Sequence, residues 1–112
     1  EYDPYDTIVF NPRREFWHGT VEQSIENPYF LEQVEWELDA LTESTDIIMY
    51  FDPNTKSPIS LLEFGLFCKT HSIYVVCPKG FWRKGNVDIV CKKYGVPQFE
   101  TLEEVVKKIF KK

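Results

Sequence analysis

The sequence predicts an α/β fold, a three-layer sandwich around a mainly parallel sheet, and two observations lead to this prediction. Its most apolar runs are short and unbroken rather than alternating, which is typical of strands covered on both faces. Amphipathic helical patterns stand between these runs, and strands that alternate with helices build parallel sheets. The 112 residues suffice for one such domain, spanning 1–112, and are too few for two.

Four short runs are predicted strands, and turn residues follow the first three of them. Asn11-Pro12 ends the first run, Asp52-Pro53 the second and Pro78-Lys79-Gly80 the third. The predicted strands are Thr7–Phe10, Ile47–Phe51, Ile73–Cys77 and the short Val96–Phe99. Together with the intervening helices they indicate a flavodoxin- or Rossmann-like sheet, in which ligands bind beyond the carboxyl ends of the strands.

Four helical patterns accompany these strands. The first follows Asn27-Pro28, where the asparagine caps the helix and the proline occupies its first turn, and it has an acidic outer face. The second starts near Pro58, runs to about Thr70 and is apolar nearly all round, so we expect it to be buried in the sandwich. The third and fourth cover roughly residues 86–94 and 102–110.

Charge and composition exclude several classes of function. Acidic residues outnumber basic ones by 18 to 13, for a net charge of −5, which argues against binding to a nucleic-acid polymer or an anionic membrane. No run approaches the length of a membrane-spanning helix, so we expect a cytoplasmic protein. The three cysteines are widely spaced in apolar surroundings and are expected to be buried free thiols. The two histidines have no partner at metal-ligand spacing, so we predict no metal site.

Glu63 is the one acidic residue of the second helix. A carboxylate near a core is costly unless it is paired, protonated or placed at a cleft, so Glu63 is a candidate nucleophile or acid. The alternative is that it lies on the solvent edge of its helix. Ser57 is placed to cap that helix and to present backbone N–H groups to an anion, although Ser57-Pro58 is equally an ordinary helix start. Gly65, in mid-helix, suggests close packing against a neighbouring backbone.

The predicted site lies in three segments at the carboxyl ends of strands: 11–17, 52–57 and 78–85. After the third strand, Trp82, Arg83 and Asn86 are expected on a loop, where an aromatic face can stack on a base or an arginine can meet a phosphate. Equally, Phe81 and Trp82 can simply cover the sheet. Arg13 and Arg14 allow the same two interpretations, since surface arginines are usually just solvated.

Five blocks of the sequence, in order, resemble the nucleoside 2-deoxyribosyltransferase-like proteins, a family that includes deoxynucleoside 5′-monophosphate N-glycosidases. The blocks are residues 10–14 with Trp17, 33–38, 46–52, 56–65 and 80–88. In this family a Glu followed two positions later by Gly is the nucleophile that attacks the anomeric carbon, and the resemblance assigns that role to Glu63. It implies N-glycosidic cleavage or transfer on 2′-deoxynucleosides or their 5′-monophosphates, with no cofactor and a homo-oligomeric assembly.

The resemblance also suggests substrate-binding residues. Glu37 matches the family's acid on the preceding helix, although the alignment needs a one-residue gap and a solvated helix face explains it equally. Ser57 stands where the transferases typically have Asp, and a serine there suits a 5′-phosphate that Asp would repel. The expected substrate-binding set is Asn11, Glu37, Asp52, Ser57, Trp82 and Asn86.

In one respect the sequence departs from the family pattern. Family members normally begin with a further strand and a Gly-Ser loop, and this chain starts directly before what would be the second strand. In the order 2-1-3-4-5 that strand is central, so we expect the chain to be a fragment, or the sheet to be rearranged or completed by another chain. The alternative function is a non-catalytic nucleotide-binding or protein-interaction domain of the same fold.

Overall fold

The computed structural model describes residues 23–110. The predicted strand Thr7–Phe10 and the candidates Asn11, Arg13, Arg14 and Trp17 lie outside the described residues. The chain divides into two compact units at residues 44 and 45, and each is described by itself.

The unit before residue 45 contains helix α1, Pro28–Glu43. As predicted, the Asn27 side chain caps it, accepting hydrogen bonds from the backbone N–H groups of Tyr29 at 3.0 Å and Phe30 at 3.4 Å. Pro28 occupies the first turn, where its missing N–H costs nothing. The predicted acidic outer face is confirmed by a set of exposed carboxylates: Glu32, Glu35, Asp39 and Glu43.

The unit from residue 45 onward is a parallel α/β unit of Rossmann-like type. Its elements in order are β1 (Asp46–Tyr50), α2 (Pro58–Phe67), β2 (Ser72–Val76), α3 (Lys84–Tyr94), β3 (Gln98–Phe99) and α4 (Leu102–Phe110). All strand pairs are parallel, and the strand order is β1-β2-β3. The predicted alternation of strands and helices, and the α/β fold class, are confirmed.

One face of the sheet carries much of the core of this unit. Ile47 pairs in register with Ile73, and Met49 with Val75, and all four side chains are buried. Alternate residues of β1 are different, because Ile48 and Tyr50 are exposed on the other face. Coverage on both faces is therefore wrong for β1, while β2 comes closer to it, with Val76 also buried and Tyr74 half-buried.

Helix α2 departs from its prediction in length and in burial. It ends at Phe67 rather than Thr70, because the N–H groups of Thr70 and His71 both turn back to the Phe67 carbonyl. Its buried face is limited to Phe64 and Phe67, and the expectation of a fully buried helix is wrong. A stripe of three apolar side chains is more than half exposed: Ile59, Leu62 and Leu66.

Three further details complete the fold. Helix α3 begins at Lys84, two residues before the predicted start, and ends as predicted at Gly95, whose φ of 71° is the left-handed conformation that glycine adopts most readily. Cys68, Cys77 and Cys91 are free and buried, as expected. Within residues 23–110, no helix has the length and apolarity needed to cross a membrane.

Candidate active site

Three phenylalanines join the elements that surround the carboxyl end of β1. Phe51 directly follows the strand, is completely buried, and extends the ladder by donating its N–H to the Val76 carbonyl at 2.9 Å. Its ring lies edge-on to Phe64 of α2, with centroids 5.9 Å apart, and 5.1 Å from Phe81 in the loop after β2. This aromatic cluster of Phe51, Phe64 and Phe81 fixes α2 and the β2–α3 loop to the same edge of the sheet.

Phe81 and Trp82 have different environments. Phe81 belongs to the core, whereas Trp82 is about half exposed. The indole N–H of Trp82 donates a 2.8 Å hydrogen bond to the carbonyl of Lys56, 26 residues earlier in the chain. The loops after β1 and β2 therefore meet, as expected for the carboxyl ends of neighbouring parallel strands.

Two cations lie against the Trp82 ring. The Lys56 ammonium is 4.4 Å from the ring centroid, and the Arg83 guanidinium carbon is 4.6 Å from it. Both distances are within the range of attractive cation–π interactions. We refer to Lys56, Trp82 and Arg83 as the cation–tryptophan cluster.

Glu63 is the sixth residue of α2 and is half-buried. It stands between exposed Leu62 and buried Phe64, so its side chain leaves the helix at the border between the core and the solvent. This position lies between the two alternatives that the sequence left open, since Glu63 is neither enclosed in the core nor part of the exposed apolar stripe of α2. A half-buried carboxylate at such a border is accessible to a small molecule.

Ser57 does not cap α2 with its side chain, contrary to the prediction. It stands at the N-cap position in a left-handed conformation, with φ 45° and ψ 52°, and its hydroxyl lies 2.7 Å from the hydroxyl of Thr55. Because the hydroxyl points to Thr55, the N–H groups of the first helical turn receive nothing from it. The serine is the one non-glycine residue with positive φ among the described residues.

Asp52 organises the loop that leads to Ser57. One of its carboxylate oxygens accepts the Asn54 N–H at 2.9 Å, and its carbonyl accepts the Thr55 N–H at 3.0 Å. Asn86 is exposed in the first turn of α3, which begins at Lys84, and not on a loop. Both residues lie on segments at the carboxyl edge of the sheet.

Glu37 lies in the other unit, on α1, and is 4% exposed. It differs in this respect from the exposed carboxylates of that helix, so it is not part of the solvated acidic face. Burying a carboxylate is expensive unless it is compensated, and such sites are often functional.

A network of hydrogen bonds connects α3 to the sheet. The Lys84 ammonium donates to the Cys77 carbonyl at 2.9 Å and to Asp88 at 3.1 Å, and the Gln98 amide donates to the same Asp88 oxygen at 2.9 Å. The hydrogen bond from Gln98 and the interaction with Lys84 hold the pKa of Asp88 below its usual value. Burial raises the pKa of the Cys91 thiol to about 12, which makes this cysteine a poor nucleophile.

A match to a known protein family identifies the family of this chain. The family described as nucleoside 2-deoxyribosyltransferase like matches residues 5–81. The chain belongs to this family. No curated protein matches the chain significantly.

The nucleoside 2-deoxyribosyltransferase-like match includes most of the predicted site. Glu63 and four of the predicted substrate-binding residues lie inside the matched segment: Asn11, Glu37, Asp52 and Ser57. Trp82 and Asn86 lie just beyond it. Lys56 and Arg83 were not in the expected substrate-binding set, although both lie in the predicted site segments and Arg83 was named as an arginine that can meet a phosphate. Within the described part of the chain, no group of three His, Cys, Asp or Glu residues is arranged to hold a metal ion.

Proposed function

We propose that this member of the nucleoside 2-deoxyribosyltransferase-like family is an enzyme that breaks the N-glycosidic bond of 2′-deoxynucleosides or their 5′-monophosphates. Glu63 is the nucleophile. The observation that supports this proposal is its half-buried position on α2, a helix that begins at the edge of the sheet where the loops after β1 and β2 meet. Membership of the family supports a nucleoside as the substrate.

In the first step, a Glu63 carboxylate oxygen attacks C1′ of the deoxyribose. The C1′–N bond breaks, its electron pair leaves with the base, and a deoxyribosyl ester of Glu63 forms through an oxocarbenium-like transition state. The departing base takes up a proton from solvent. Glu37 keeps the substrate-binding role that the family resemblance implies, contact with the nucleobase or sugar.

In the second step, an acceptor attacks C1′ and releases the Glu63 carboxylate. Water yields the free sugar or its 5-phosphate, with one proton released to solvent. A second base instead yields a new nucleoside, and the proton then leaves the attacking nitrogen. Hydrolysis and transfer therefore share the first step and differ only in the acceptor.

The remaining assignments concern binding. Asp52, Ser57, Trp82 and Asn86 all lie on segments at the carboxyl edge of the sheet, where ligands bind in folds of this type. We assign Asn11 the same role from sequence. A homo-oligomer and a cytoplasmic location remain predictions.

Chromatography of released bases tests the proposal. The protein is incubated with the four common 2′-deoxynucleosides and their 5′-monophosphates, with and without a free acceptor base. We expect free base or an exchanged nucleoside, and at least about a 10³-fold loss of rate in Glu63→Ala. The matched control is Glu103→Ala, which removes an exposed carboxylate from α4 and should leave the rate unchanged.

Two results would oppose this proposal. Equal rates in Glu63→Ala and wild type would exclude Glu63 as the nucleophile. Binding of these ligands without any base release would favour the alternative, a nucleotide-binding domain that keeps the fold without the chemistry.

A further inference from the structure

The cation–tryptophan cluster concentrates positive charge near the N-terminus of α2. Lys56 and Arg83 lie 4.4 and 4.6 Å from one ring centroid, so the distance between their charged groups cannot exceed the sum of these two values. Neither side chain forms an ion pair with a carboxylate in the part of the chain that the structure describes. Two like charges held close together, without a counter-charge, repel each other until an anion binds.

The surroundings add to the positive potential. Lys56 directly precedes Ser57, which stands at the N-cap of α2, and the positive end of the helix dipole lies there. The Ser57 hydroxyl is directed to Thr55 and not to the helix, so it does not satisfy the N–H groups of the first turn. The carbonyl of Lys56 is held by the Trp82 indole, which fixes the backbone that carries the cation.

The position of the two cations also bears on what Trp82 does. Its ring is contacted by both an ammonium and a guanidinium group. Trp82 therefore holds the two cations near each other through attractive cation–π contacts.

We propose that Lys56 and Arg83 bind the 5′-phosphate of a nucleotide substrate, with Trp82 as the positioning residue that holds both cations. This inference rests on the proposed function, and it selects the 5′-monophosphate over the unphosphorylated nucleoside as the substrate. A phosphate monoester has three terminal oxygens, enough to accept from both side chains at once.

Calorimetric titration tests this site without turnover. Glu63→Gln protein is titrated with a 2′-deoxynucleoside, with its 5′-monophosphate and with inorganic phosphate, alone and combined with Lys56→Gln or Arg83→Gln. Each of these substitutions should weaken monophosphate binding about tenfold, the loss of one charge-assisted hydrogen bond, and change nucleoside binding less than twofold. Inorganic phosphate should compete with the monophosphate, and less so in the variants.

The chain offers a matched control. Lys69 also places its ammonium over an exposed aromatic ring, 5.6 Å from the centroid of Tyr94. It lies just beyond the opposite end of α2, so Lys69→Gln removes the same charge and the same type of contact at another place. We expect this variant to bind the monophosphate as the parent protein does.

Several outcomes would overturn the inference. These are no binding of the monophosphate by the parent protein, an unchanged affinity in both Lys56→Gln and Arg83→Gln, or an equal loss for nucleoside and monophosphate. Failure of the proposed function looks different, because wild-type protein would then release no base while the phosphate-dependent binding and its loss in the two variants persisted.

Discussion

Replacing Phe51 by leucine tests whether the aromatic cluster holds α2 and the β2–α3 loop to the sheet. The Phe51 ring has no exposed surface, and it contacts Phe64 and Phe81 at centroid distances of 5.9 and 5.1 Å. Each aromatic pair contributes about 0.5–1.5 kcal/mol beyond its buried area, so losing both costs about 1–3 kcal/mol. Phe51→Ala also creates a cavity and should lower the free energy of unfolding by about 3–5 kcal/mol in total.

Urea unfolding measures both effects as a decrease in the free energy of unfolding. The control is Ile89→Ala, which removes an apolar side chain that is 69% exposed and should change this free energy by less than about 0.5 kcal/mol. If Phe51→Leu lies as close to wild type as Ile89→Ala does, the aromatic cluster does not hold this edge together and the reasoning fails.

Three further predictions concern stability. The Cys91 thiol has a pKa of about 12 in the folded protein against an ordinary value of 9.0. The free energy of unfolding should therefore be unaffected below pH 9 and fall as the pH rises toward 12, by about 1 kcal/mol at pH 10. In Cys91→Ala this free energy should depend less on pH, and an equal pH dependence would contradict the prediction. Gly65→Ala places its new Cβ where no atom of residues 23–110 lies within 4 Å, so it should stabilise the protein by about 0.5–1 kcal/mol. Gly80→Ala, at φ 99°, should destabilise the protein by about 1–2 kcal/mol. Thermal unfolding that shifts in the same direction for both variants would contradict this. Asp88→Asn should lower the free energy of unfolding by no more than about 0.5 kcal/mol at pH 7. Because the pKa of Asp88 is lowered in the folded protein, the difference between variant and wild type should disappear as the pH falls below 3.8. A difference that persists in acid would refute this prediction.

The order and type of the described elements could be predicted because local signals specify them. Asn27-Pro28 starts α1 through a side-chain cap, Pro58 starts α2, and Gly95 ends α3 in the left-handed conformation that it adopts readily. These signals act within a few residues, so they are present in the sequence whatever the chain packs against.

Burial and side-chain direction could not be predicted in the same way, because both depend on neighbours distant in sequence. The apolar composition of α2 predicted a fully buried helix, yet Leu62 and Leu66 are exposed. Gly65 suggested a close backbone neighbour, and no atom of the described residues approaches the place of its missing Cβ. Ser57 has the residue type of a cap, but its left-handed backbone turns the hydroxyl to Thr55.

In the candidate site, too, one feature follows from local sequence and another depends on residues distant in sequence. Glu63 was selected from sequence because one carboxylate stands in an apolar helix, a local contrast that needs no tertiary information. The cation–tryptophan cluster joins residues 26 positions apart through the hydrogen bond from Trp82 to Lys56. Such a pairing depends on which loops the parallel sheet brings together, and no spacing in the sequence specifies it.

The most direct measurement of the central claim is the mass of the protein during turnover. Wild-type protein is mixed with a 2′-deoxynucleoside 5′-monophosphate, or with the nucleoside, quenched in acid and digested for mass spectrometry. We predict that a peptide containing Glu63 gains the mass of one deoxyribosyl group, phosphorylated when the substrate is, and that Glu63→Gln does not. Base release without any such adduct at Glu63, or an adduct on another residue, would contradict the account.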